Sequence, residues 1–338
     1  MEKYLREEIK SLVAYEVIDR DYKVKLDANE GIEWIKGLNR YPGDRSDELR
    51  EELAEQLGRN KDEILLGNGS SELIELVMKA YLEAGETVAS FSPTFSMYRN
   101  FTIMHKGKYV GYPLENMKKL NVDGFVEFVH EEKAKIVILT NPNNPTGLLI
   151  PKEDIVKIIK SVDAMVILDE AYIEFSDGPQ NETMEEFENL IILRTFSKAM
   201  SLAGIRLGYM VSNEKNIEYI NRVRSPFNVN MLTQEMGLKA LKNRETTSKN
   251  IEIIKKERER MREFLQGKGI EPFSSAANFL FFTTSKEIFH ALEDSAVLIK
   301  GFSGELEGYY RLTIGTPEEN NSVIKVIEEV QNKNNEYK

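Results

Sequence analysis

Short apolar runs alternate along the first two thirds of the chain with stretches in which apolar residues recur every three or four positions. The runs at 87–91, 135–140, 164–168, 190–194 and 207–212 are rich in Val, Ile and Leu and too short for ordinary helices. Runs of this kind predict strands buried on both faces. Between them, Leu49, Leu53 and Leu57 fall on one helical face within 46–57, and 71–82, 151–160 and 214–223 repeat the pattern. Pro151 suits a first helical turn, where its missing N–H costs nothing. Buried strands alternating with helices predict an α/β fold with a mainly parallel central sheet covered by helices.

The pattern changes after residue 230. A long helical stretch with mixed charges over 255–262 reads as a helix with a solvated face. A strand near 278–282, a helix near 286–292, a strand at 310–314 and a last helix from Pro317 suggest a smaller α+β domain. The expected division is a large domain over residues 44–230, with residues 1–43 and 231–338 forming an N-terminal arm plus the small domain. A length of 338 residues allows one large or two modest domains.

Composition narrows the function classes. The net charge of -11 disfavours nucleic-acid partners but leaves room for a local basic pocket that holds a small anion. The chain contains no cysteine, which excludes disulfides, cysteine-ligated zinc and a thiol nucleophile. The charged start Met1-Glu2-Lys3-Tyr4 lacks a secretory apolar region, and no apolar run approaches the roughly 20 residues that span a bilayer. A cytoplasmic location without membrane attachment is expected.

Four segments carry candidate chemistry. Asn141-Pro142-Asn143-Asn144-Pro145-Thr146-Gly147 follows a predicted strand, and loops at strand carboxyl ends line the ligand crevice of open α/β sheets. Alone it also fits an ordinary rigid turn. Asp169-Glu170-Ala171-Tyr172 ends another strand, where an acid can face a ligand or merely cap a helix. Thr195-Phe196-Ser197-Lys198-Ala199 follows a third strand, with Arg206 close behind. Hydroxyls and an arginine make a phosphate cradle, and a partly buried lysine near positive charge becomes a Schiff-base former. Gly67-Asn68-Gly69-Ser70-Ser71-Glu72 leads into a helix whose free N–H groups can take a phosphate, although a capping box explains it equally well. The segment is neither a dinucleotide fingerprint nor a Walker loop, because Glu72 stands where a third glycine belongs and no Lys-Ser/Thr follows. The three histidines are scattered without metal-ligand spacing, so no metal site is expected.

In order and spacing these segments resemble the class I/II aminotransferases of fold type I. The likeness extends over nearly the whole chain. Ile9-Lys10-Ser11-Leu12, Leu26-Asp27-Ala28-Asn29-Glu30, Arg40-Tyr41-Pro42-Gly43, Pro226-Phe227-Asn228-Val229 and Arg311-Leu312-Thr313-Ile314-Gly315-Thr316 are similar to the branch that acts on histidinol phosphate. The resemblance implies pyridoxal 5'-phosphate as cofactor, held by Lys198 as a Schiff base, with Lys198 also moving the substrate proton. It implies that Asp169 pairs with the ring nitrogen, that Tyr172 and Asn144 bond the ring hydroxyl, and that Phe95 stacks on the ring. Ser70, Ser71, Thr195, Ser197 and Arg206 would hold the cofactor phosphate, joined by Tyr41 from a partner subunit of a homodimer with shared sites. Arg311 would grip the substrate's anionic group, with Lys300, Tyr15, Asn29, Asn144 and Asn278 on the substrate side.

Three positions depart from the family pattern: Phe95 replaces a usual tyrosine, Ser71 a frequent aspartate and Lys300 a frequent arginine. The implied reaction exchanges amino and oxo groups between L-histidinol phosphate and 2-oxoglutarate, giving imidazole-acetol phosphate and L-glutamate. Alternatives on the same scaffold are an aromatic or broad-range amino-acid aminotransferase, a lyase resembling threonine-phosphate decarboxylases, and a cofactor-binding regulator without turnover.

Overall fold

The computed structural model describes residues 2–15, 23–43, 46–176 and 187–336. Its centre is a seven-stranded sheet in the order β1-β7-β6-β5-β4-β2-β3. The strands are β1 (Ile64–Asn68), β2 (Thr87–Ser92), β3 (Lys108–Pro113), β4 (Ala134–Thr140), β5 (Met165–Asp169), β6 (Leu190–Thr195) and β7 (Leu207–Val211). Neighbouring pairs are parallel except that β7 runs against both β6 and β1. The α/β expectation and the mainly parallel sheet are therefore observed, and Leu207–Val211 is its one reversed strand. Helices Asp47–Leu57, Gly69–Tyr81, Lys152–Ser161 and Glu214–Asn221 lie close to the spans that the apolar spacing predicts.

Period-2 alternation explains how the sheet is buried on both sides. Ile136, Ile138, Met165, Ile167, Ile191 and Leu193 join one apolar cluster with Leu73, Val77 and Tyr98. Their chain neighbours Val137, Leu139, Val166, Leu168, Leu190 and Ile192 join a second cluster with Phe125, Ile155 and Ile158. Successive side chains of a strand point to opposite faces, so strands covered twice must be apolar throughout.

A second, antiparallel sheet has the order β8-β10-β9, with β8 (Phe279–Thr283), β9 (Lys300–Gly301) and β10 (Tyr309–Thr313). Helices Arg244–Gly267, Lys286–Asp294 and Pro317–Glu336 accompany it, and Met261, Leu265, Leu280, Phe282, Leu312 and Ile327 build its own core. No helix among the described residues is long and apolar enough to cross a membrane.

Candidate active site

One edge of the large sheet gathers the chemistry. The carboxyl ends of β1, β2, β4, β5 and β6 lead into Gly69-Ser70-Ser71, Pro93-Thr94-Phe95, the 141–147 loop, Glu170-Ala171-Tyr172 and Phe196-Ser197-Lys198. The reversal of β7 brings its first residues, after Arg206, to the same edge. A cavity of about 180 Å³ there is lined by Ser70, Ser71, Phe95, Asn144, Asp169, Tyr172, Thr195, Ser197, Lys198 and Arg206. All the expected cofactor-side residues except Tyr41 meet in it. Tyr98, Thr140 and Ala171 complete the wall and were not singled out from the sequence.

Strand alternation decides which acid of the Asp169-Glu170 pair enters the cavity. Residues 165 and 167 face the first cluster, so Asp169 continues on that face, as do Thr140 after 136 and 138 and Thr195 after 191 and 193. Glu170 falls on the other face, where Arg194 bonds one of its oxygens at 2.6 and 3.0 Å in a fully buried ion pair. A lone carboxylate buried there would carry a large desolvation cost, which Arg194 offsets.

Asp169 has no such partner. Its Oδ2 accepts from the Tyr98 hydroxyl at 2.7 Å and its Oδ1 from the Ala171 N–H at 3.1 Å, and no basic side chain hydrogen-bonds it among the described residues. Burial pushes its carboxyl above the usual aspartate range, opposed by those two bonds and by the charge of Lys198. A buried anion with spare lone pairs suits a cationic ring N–H. Lys198 is pushed the other way: burial, then Arg311 and Arg206, hold its ammonium below the ordinary lysine range. That favours the neutral, nucleophilic amine. Its Nζ stands 5.4 Å from the centre of the Tyr172 ring. Burial pushes the Tyr172 phenol up to about 12, so it remains a hydrogen-bond donor at neutral pH.

The anion end of the cavity is built on backbone geometry. Gly69 has φ +77°, and a Cβ there would lie 2.7 Å from Arg206 Nη2, so a side chain at this position would displace the guanidinium. Gly69 opens the 13-residue helix Gly69–Tyr81, whose preceding Asn68 supplies no side-chain cap. Its first N–H groups can therefore serve an anion. Arg206 donates to Ser197 Oγ at 3.3 Å, and Thr195 Oγ1 accepts from the Ser197 N–H at 3.1 Å. Hydroxyls, helix N–H groups and a guanidinium form a donor set suited to a phosphate. The cavity thus fits pyridoxal 5'-phosphate at each end: an anion cradle, a lysine of lowered basicity and a buried carboxylate lacking a cation.

The substrate-side residues are less gathered. Arg311 on β10 donates through Nη1 to Asn144 Oδ1, and its buried Nε has no partner among the described residues. An unpartnered buried guanidinium N–H calls for an anion. Lys300 on β9 is the direct cross-strand partner of Arg311, so both leave the same face of the small sheet, although Lys300 is exposed. Asn278, partly buried beside β8, accepts from the Ile314 N–H through its carbonyl. Tyr15 and Asn29 are exposed. Tyr41 stacks on Phe227 of its own chain, ring centres 4.6 Å apart, and does not line this chain's cavity.

A sheet with one reversed strand, loops that carry a half-buried lysine and a buried acid on strand ends, and an antiparallel side unit define the fold-type-I transferase architecture. The model of the class I and II aminotransferase family matches residues 18–327, and the chain belongs to that family. A Thermoanaerobacter pseudethanolicus protein named histidinol-phosphate aminotransferase is 38% identical, over 98% of this chain and 99% of that one. A protein of the same name from Pyrococcus furiosus is 39% identical, over 96% of this chain and 97% of its own. Among solved structures, the Sinorhizobium meliloti histidinol-phosphate aminotransferase in complex with pyridoxal 5'-phosphate superposes with a TM-score of 0.79 at 25% identity, covering 86% of this chain and 83% of that one.

Proposed function

We propose that the protein is a pyridoxal 5'-phosphate enzyme that transfers the amino group of L-histidinol phosphate to 2-oxoglutarate, yielding imidazole-acetol phosphate and L-glutamate. The observation that carries the substrate assignment is the register of β9 and β10, which sets Lys300 opposite Arg311 on one face. Two adjacent cations suit donors that carry a phosphate or a carboxylate away from the reacting carbon. The names of relatives at 38% and 39% identity agree.

When bound, the cofactor supplies an electron-accepting ring that stabilises negative charge at the substrate Cα. Lys198 Nζ would hold it covalently and, once displaced by an amino donor, take the Cα proton and pass it to the cofactor's C4′ carbon. Asp169 would hold the ring N–H and keep it protonated. Phe95 would stack on the ring, and Tyr172 with Asn144 Nδ2 would donate to the ring hydroxyl. Ser70, Ser71, Thr195, Ser197 and Arg206 would hold the phosphate. Arg311 would orient the donor by its anionic group. Tyr15, Asn29, Asn144 and Asn278 would enclose it.

The same proposal includes a homodimer. The arm leaves Val24, Leu26, Ile32 and Trp34 at 74%, 88%, 96% and 88% exposure, an apolar run that water does not favour. A second copy would cover it and bring its Tyr41 to the phosphate. The division into residues 44–230 and residues 1–43 with 231–338 belongs to this proposal too; the small sheet's own core supports it, while Tyr4, Leu5 and Ile9 of the arm and Leu241 pack onto the large sheet. A cytoplasmic enzyme without nucleic-acid or membrane partners is expected.

The test is a half-reaction screen. Loaded protein is mixed with histidinol phosphate, glutamate, phenylalanine or threonine phosphate, and the cofactor absorbance is followed. Rapid bleaching by histidinol phosphate and glutamate is expected, with kcat/KM for histidinol phosphate at least about tenfold above phenylalanine. Preference for phenylalanine would favour an aromatic aminotransferase. Carbon dioxide release from threonine phosphate without an oxo acceptor would favour a lyase.

A further inference from the structure

Tyr98 is the one fully buried phenol in the cavity wall to which no role has yet been given. It lies on helix Met97–Met104, three residues beyond Phe95, with no exposed surface. Its ring meets Phe95 edge-on at 5.5 Å and belongs to the apolar cluster beneath the cavity. Packing alone would be served by phenylalanine, because a buried hydroxyl is costly unless bonded.

The bonding has a definite direction. The hydroxyl is 2.7 Å from Asp169 Oδ2 and 2.9 Å from Thr140 Oγ1. An ionised carboxylate only accepts, so Tyr98 donates to Asp169, and its lone pair is left for the Thr140 proton. Thr94 Oγ1 lies 3.1 Å from Thr140 Oγ1 and 3.1 Å from Asn143 Oδ1. An amide oxygen also only accepts, so the Thr94 proton goes to Asn143. Asn143 is pinned in turn by donating to the Pro93 carbonyl at 3.0 Å and to Thr146 Oγ1 at 2.9 Å. The Thr140 hydroxyl therefore backs the Tyr98 hydroxyl, which backs the acid, while the Thr94 proton is spent on Asn143 of the 141–147 loop.

We propose that Tyr98 is a positioning residue that keeps Asp169 charged and aimed for a ring N–H, itself held in place by Thr140. This rests on the reading that the cavity holds pyridoxal 5'-phosphate. Through Asp169, the hydroxyl would strengthen the grip on a ring nitrogen without touching the cofactor.

The test uses Tyr98→Phe, which keeps the ring and its packing. Apo-protein is titrated by fluorescence with pyridoxal 5'-phosphate and with an analogue in which carbon replaces the ring nitrogen. The variant should bind the natural cofactor about tenfold more weakly, the size of one lost bond to a charged group. It should bind the carbon analogue as wild type does, because that ligand gives Asp169 nothing to hold. In an Asp169→Asn background, adding Tyr98→Phe should leave affinity unchanged. Equal weakening for both ligands would assign Tyr98 to packing and overturn the proposal, as would unchanged affinity for the natural cofactor. If Tyr98→Phe fails to fold, Thr140→Val removes the donor behind the hydroxyl and should weaken only the natural cofactor. Wild-type protein that bound neither ligand would overturn the cavity reading and this role with it, an outcome distinct from a failure of the variant alone.

Discussion

The two halves of the candidate site are built on different principles. The cofactor half stands on the edge of a sheet covered on both faces, and ten expected residues converge there within one chain. The substrate half draws on a three-stranded sheet and an extended arm, and among its described residues Arg311 and Asn144 share a side-chain hydrogen bond while Lys300 meets Arg311 across the strands. Tyr15, Asn29 and Lys300 remain exposed. Strand ends in a packed sheet have one position available to them, because every neighbour along the strand is locked into a core. An arm with exposed apolar residues has no such constraint until something covers it. The lesson is that the packed sheet of one chain positions ten of the cofactor-side candidates, while most substrate-side candidates lie outside that rigid edge.

Lys198→Ala should break the comparison at its strongest point. Removing the group that would move the proton should lower kcat by at least about a thousandfold, read in a coupled steady-state assay. A rate within tenfold of wild type would place the chemistry elsewhere. Next in size is Arg311→Lys, which keeps the charge but loses the planar fork. A fall in kcat/KM of roughly 30- to 100-fold is expected for both glutamate and histidinol phosphate. A loss confined to one donor would show that the two anions do not share this residue. Lys300→Ala should cost about tenfold and chiefly with the phosphorylated donor, the scale of one exposed charge contact, with Lys300→Arg restoring it. An equal loss for phenylalanine would detach Lys300 from phosphate recognition.

The smallest effect concerns the stability of the apo-protein. Burial raises the Asp169 pKa in the folded state, so its contribution is full below the ordinary aspartate range and is lost as pH rises through the folded value. Above the folded value the charged acid therefore costs stability unless a cation binds it. Asp169→Asn should make the apo-protein more stable by about 1 kcal/mol near pH 8, with the gain shrinking toward acid pH, while the added stability from cofactor falls. Thermal melts with and without cofactor across pH would show it. A destabilised apo variant at pH 8 would mean that Asp169 is already satisfied without a ligand.

Legibility followed locality. The helix over 46–57 and the strands over 135–140 and 190–194 were readable because their apolar spacing is internal to each segment. β3 was not, because an edge strand half open to water carries no continuous apolar run. β1 was masked by the Gly67-Asn68-Gly69 turn chemistry at its end. Tyr98 was missed although its three-residue offset from Phe95 on a helix start was a usable signal. Nothing local to β7 distinguishes a reversed strand from a parallel one, since both are apolar when buried.

The sequence by itself determined the class of chemistry. Lys198, Asp169 and Asn144 lie at or just beyond the ends of predicted strands, and short loops after buried strands have little freedom in where they emerge. Only the tertiary structure decided that Glu170 turns to Arg194 on the other face, that Tyr98 bonds Asp169, and that Lys300 lies across from Arg311. Each of those depends on strand register and on which sheet face meets the ligand. A period of two residues is visible in a chain, but its phase is set only when the sheet is assembled.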